Sequence, residues 1–178
     1  MQMRKLLLFV FSIVVALGVG YAAGKLAKPF LTNLYYAYES LMCKAAVESS
    51  LNSEELERIA MEIRSSEICR GWRGNYCYIR EAFNWVKRNV PYKPDDELEN
   101  FLFLNNDPIY TLKHGNDCEG RAILVAAILK KLNVTDVYIV FGRIGKTRHA
   151  CVLARSNDGR FTGFSCPENF EIDHLVRV

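Results

Sequence analysis

An α+β fold is predicted by the order of two patterns: helical periodicity fills the first two-thirds of the chain, and alternating, strand-like segments follow it. A third observation places a membrane-spanning helix ahead of that domain: a basic start precedes a long uncharged apolar run. At 178 residues the chain suits one core plus an appendage. The expected division is a transmembrane signal-anchor over 1–28 and a folded domain over 29–178.

Arg4 and Lys5 precede the run from Leu6 to Ala23, which carries no charge and approaches the roughly 20 residues that cross a bilayer. Gly20-Tyr21-Ala22 offers the small residues a signal peptidase reads, but the apolar stretch exceeds an ordinary signal peptide, so a retained anchor is the preferred reading. A single anchor with a basic amino end leaves that end in the cytoplasm and exports the rest. The expected localisation is therefore a single-pass cell-membrane protein with its domain outside, where six cysteines can form persistent disulfides.

Pro29 marks the end of the span, and Phe30 to Ser50 reads as helix. Asn52 with Glu55 resembles a capping box, and Leu56, Ile59, Ala60 and Ile63 recur at the spacing of one helical face. Gly71 and Gly74 break the chain. A third helix follows, marked by Ile79, Phe83, Val86 and Val90 and closed by Pro91. The tract from Pro91 to Gly115, rich in Asp, Asn and Pro, reads as loop. An apolar helix then runs from about Arg121 to Leu132, with Cys118 on its first turn and Asn133 as a plausible cap. Strands are expected over Asp136–Phe141, Arg148–Arg155 and Arg160–Ser165, the last two joined by an Asn157-Asp158-Gly159 turn.

The charge is nearly balanced, with 23 Lys and Arg against 20 Asp and Glu, and the basic residues are scattered. That gives no case for nucleic acid. The densest cluster, Arg70, Arg73, Arg80, Lys87 and Arg88, reads as the wet side of an amphipathic helix. Chemistry concentrates instead in His114-Gly115-Asn116-Asp117-Cys118-Glu119-Gly120. A cysteine at a helix start faces unpaired N–H groups and the positive end of the dipole, which favour a thiolate, more so with an imidazole nearby. His149 is the candidate imidazole. Asp117 reads as a helix cap, His114 as a solvated loop residue, His174 as surface, and Trp72 and Trp85 as packing.

The stretch from Tyr110 to Glu119, the helix from Ala122 to Leu132, the Val137–Gly142 strand and His149-Ala150-Cys151-Val152-Leu153 together resemble the transglutaminase-like superfamily of papain-type thiol enzymes. The resemblance covers about Phe83 to Cys166. It implies a papain-like/transglutaminase-like core, with catalytic Cys118 and His149, acting on a protein or peptide substrate. The activity implied is thiol-dependent acyl transfer, as a cysteine peptidase or amide hydrolase, with no cofactor and no metal.

One departure concerns the family's third residue, a carboxylate that orients the histidine. At its place stands Phe164-Ser165-Cys166-Pro167-Glu168-Asn169, where Glu168 or Asn169 are the candidate replacements. The alternatives to an enzyme are a non-catalytic binding module and a structural domain held by zinc or disulfides. Cys118, His149, Cys151 and Cys166 form the weak zinc set. Cys151 with Cys166, and Cys69 with Cys77, are the disulfide candidates, with Cys43 a possible third participant.

Overall fold

The structure, a computed structural model, describes residues 2–70, 74–94 and 106–178, with side chains from residue 24 onward except residue 26. The apolar run from Leu6 to Ala23 therefore falls outside the described side chains, as do Trp72, Arg73 and the acidic tract 95–105. Among the described residues no helix is long and apolar enough to cross a membrane. The chain divides into two units, Met1–Glu39 and Ser40–Val178.

The first helix, α1, spans Gln2–Ser50 and continues through Pro29. A proline removes one N–H donor and crowds the carbonyl four residues earlier, yet the long helix does not end there. The second unit holds the α+β fold. Helix α2 (Glu54–Ser65) starts one residue later than the Asn52 box implies: Ser53, in extended backbone, caps it by accepting from the Leu56 N–H at 3.1 Å. Helix α3 covers Tyr76–Asn89. The tract expected to be loop contains a short helix, α4 (Pro108–His114). Asp107 caps it, its carboxylate accepting from the Ile109 and Tyr110 N–H groups at 2.8 Å, and Pro108 supplies a first position that needs no donor.

Helix α5 (Cys118–Lys131) is the centre of the domain, with every residue from Ala122 to Leu129 buried. A helix apolar on all sides must be enclosed. It is covered by α2, α3 and α4 on its flanks and by a sheet of β1 (Asp136–Ile144), β2 (Thr147–Arg155), β3 (Phe161–Phe164) and β4 (Glu171–Arg177). Asn133, at φ 61°, closes the helix in the left-handed conformation that Asn tolerates.

All neighbouring strands are antiparallel, in the order β3-β2-β1-β4. The β2–β3 turn forms as expected: Ser156 N–H donates to the Arg160 carbonyl at 2.8 Å, and Gly159 takes φ 85°. The fourth strand was not expected, and it moves His174 from surface to sheet. His174 pairs with Phe141, and their rings stack at 4.9 Å. Alternation along β2 sends Ala150, Val152 and Ala154 into the core, leaving His149 and Cys151 on the opposite face.

Candidate functional site

Cys118 is the first residue of α5 and carries a free, half-buried thiol. The turn before it is fixed by a short parallel pairing with the 91–93 segment. Lys93 N–H donates to the Asn116 carbonyl at 2.9 Å, and Asn116 N–H donates to that of Pro91 at 3.3 Å. Gly115 is required between them: it takes φ 75°, and a Cβ there would lie 2.6 Å from the Pro91 oxygen. The buried Asn116 side chain accepts from the Asp117 N–H at 2.8 Å and donates to the Thr111 hydroxyl at 3.0 Å. It also lies over the first turn of α5, where a Cβ on Gly120 would come within 2.2 Å of Nδ2.

Asp117 caps the helix as expected, accepting from Glu119 N–H at 2.8 Å and Gly120 N–H at 3.2 Å. The N–H groups that were to stabilise a thiolate are thus held by a carboxylate. The Cys118 sulfur lies 4.0 Å from the other Asp117 oxygen. Burial, then the charge of Asp117 beside it, push the thiol up to about 12, with Glu119 adding in the same direction. The N–H groups of Ala150 and of Cys118 itself act oppositely and are outweighed. Burial and the two neighbouring carboxylates thus oppose the thiolate that the helix end alone would favour. Asp117 is itself shifted up by burial, against its two N–H bonds and the nearby His149.

His149 lies near the start of β2, next to Ala150, whose N–H faces the sulfur. Its Nε2 lies 2.8 Å from the Ser165 carbonyl. A carbonyl oxygen only accepts, so Nε2 carries the proton and the neutral ring keeps its lone pair on Nδ1. The orienting group is therefore a main-chain oxygen. Ser165 turns it there from a φ of 57°, just past the end of β3. Glu168 and Asn169 are exposed, and neither bonds the ring. Among the described residues no hydrogen bond joins the imidazole to the thiol.

One further group packs on the ring, and it was not identified from sequence. Phe170 meets it edge-on at 5.9 Å, with planes at 87°. Gly142, paired with His149 across β1 and β2, leaves room for Phe170: a Cβ there would sit 2.8 Å from that ring and 2.2 Å from the Glu171 carbonyl. Cys151 and Cys166 are bonded to each other, with Cα atoms 5.1 Å apart, tying the His149 strand to the Ser165 turn. Both sulfurs are thereby withdrawn from the four-residue zinc set. Cys69 and Cys77 form the other expected bridge, with Cα atoms 5.5 Å apart, and Cys43 is in neither.

His114 is exposed at the end of α4, stacked on Tyr110 at 4.4 Å. Trp85 is buried in the core. The fold and site together define an α+β domain with a half-buried cysteine at the start of its central helix. Comparison of the chain with family models, curated proteins and solved structures finds no match.

Proposed function

We propose that this domain is a thiol-dependent acyl-transfer enzyme of transglutaminase-like, papain-type architecture, acting as a cysteine peptidase or amide hydrolase and anchored to a membrane by the apolar segment of α1. The observation that carries the reading is that the Cys118 thiol faces the strand bearing His149, with the Ala150 N–H toward the sulfur and His149 near Asp117. The free thiol opens a buried helix, and the imidazole is held on the adjoining strand with Nε2–H engaged and Nδ1 available as a base. In this scheme the neutral thiol loses its proton to His149 as the sulfur attacks an amide carbonyl, and His149 returns that proton to the leaving amine. Water or a second amine then releases the acyl group. Neither step calls for a cofactor.

A non-catalytic binding module is the second reading, favoured by the high thiol pKa and by the absence of a thiol–imidazole hydrogen bond among the described residues. An activated ester separates the two. Incubation with p-nitrophenyl acetate should acylate Cys118, located by peptide mass mapping, at a rate that falls by about two orders of magnitude in His149→Ala, the usual scale of lost general-base catalysis. Acylation no faster than at an unfolded thiol, and insensitive to His149, would leave the binding module standing.

A further inference from the structure

Arg80, Phe83, Asn84 and Lys87 recur at the spacing of one helical face of α3, with Phe83 buried and the other three exposed. Together with Arg121 of α5 and the 162–165 segment they line a cavity of about 370 Å³. That volume lies at the lower end of small-ligand pockets. Arg80 and Lys87 are exposed, as a solvated helix face requires, and they also border this cavity.

The cavity lining holds three cationic side chains and no carboxylate. Among the described residues none of Arg80, Lys87 and Arg121 has an ion-pair partner, whereas their neighbour Arg88 is paired with Glu81. Arg121 Nε is buried and has no hydrogen-bond partner among the described residues. Its guanidinium lies 5.6 Å over the Phe164 ring, which in turn packs on Phe83 at 5.5 Å. Burial lowers the Arg121 pKa, a sign that its charge is poorly solvated where it stands. Like charges gathered round an aromatic floor repel one another and lose hydration, and an entering anion relieves both costs.

We infer that this cavity binds an oxyanion, carboxylate or phosphate, carried by a small ligand or an acidic substrate side chain, with Arg121 as its principal partner. Arginine presents a planar fork of donors that matches either group. Asn84 and Thr162 add polar groups at the rim. Ser165 lines the same cavity and holds His149 through its carbonyl, so a ligand seated here lies beside the proposed catalytic groups. The anion site stands on the cavity alone; its role in selecting an acidic substrate rests on the acyl-transfer reading.

Binding is tested on the full-length Cys118→Ser protein in nonionic detergent, which separates it from any question of turnover. Glutarate and inorganic phosphate are titrated separately at low ionic strength, following the amide resonances of Gly163, Phe164 and Ser165. We expect saturable shifts with at least one probe, the responding probe identifying carboxylate or phosphate as the preferred group. Arg121→Gln and, independently, the surface change Lys87→Gln should each weaken binding by about tenfold, the scale of one charge-assisted contact. Arg58→Gln, on α2, should leave it unchanged. Shifts that never saturate with either probe, or saturable shifts that keep the wild-type affinity in both Arg121→Gln and Lys87→Gln, would overturn the assignment. Binding that persists while ester acylation fails would retain the anion site and remove only its role in substrate selection.

Discussion

Cys118 occupies a helix start whose positive end is already engaged. Asp117 takes the Glu119 and Gly120 N–H groups, and the two carboxylates flanking the sulfur oppose its ionisation. A pKa near 12 against an ordinary 9.0 reduces the thiolate fraction at neutral pH by about a thousandfold. With the base removed, in a His149→Ala, Cys43→Ala background that leaves one free thiol and no imidazole to take its proton, iodoacetamide should therefore label Cys118 about a thousandfold more slowly in the folded protein than in urea. Labelling as fast in the folded state would show that the thiolate is stabilised after all. The same shift has a stability counterpart. Because the folded pKa lies above the unfolded one, the Cys118 contribution is intact at neutral pH and is lost as pH rises from about 9 toward 12. Wild type should lose stability relative to Cys118→Ser across that alkaline range in denaturant titrations. An Asp at a cap and a Cys at a helix start were both legible in the sequence. Their mutual opposition was not, because the helix-end argument weighed only the dipole and left out the carboxylates placed on it.

The elements around His149 act through contacts that leave little mark in the sequence. The Ser165 carbonyl performs the task expected of Glu168 or Asn169, and a main-chain oxygen has no residue type to betray it. Strand β4 alternates acidic, apolar and basic residues over Glu171–Arg177 and reads as an exposed tail until its pairing with β1 is seen. Its register slips at Phe141 and Gly142, a bulge that sets Phe170 and Glu171 close over the glycine. Gly142→Ala should accordingly do two things at once. A Cβ placed 2.2 Å from the Glu171 carbonyl forces β4 outward, at a cost of about 1–3 kcal/mol, the range of overpacking. It also displaces Phe170 from the His149 ring, so the imidazole resonances should move while those of α2 stay fixed. Unchanged thermal unfolding together with unmoved imidazole signals would contradict this account of the glycine. Helix α4 was read as loop because of the polar tract in which it stands, although Asp107-Pro108 is a helix-start signature.

At the scale of the whole molecule, an α+β plan with its strands after its helices follows from the change of hydrophobic period near Asn133, and both expected disulfides form. The bridges carry an argument about compartment. Cys151–Cys166 closes a 15-residue separation across the β2–β3 hairpin, at the point where His149 and Ser165 meet. By chain entropy such a loop contributes about 3 kcal/mol, and in a reducing cytosol that contribution would be absent. The basic residues add only a slight bias, with Arg4 and Lys5 before the apolar run and Lys25 and Lys28 after it. We therefore expect the domain to be exported. In a bacterial host, alkaline phosphatase fused after Val178 should be active and a green fluorescent protein fused at the same site should be dark. Non-reducing peptide maps of membranes trapped with alkylating reagent should show both bridges. A bright fluorescent fusion with an inactive phosphatase would place the domain in the cytoplasm. The strands bearing His149 and Ser165 would then have to be held together without their disulfide, and the double change Cys151→Ser, Cys166→Ser would cost the protein nothing in its own compartment.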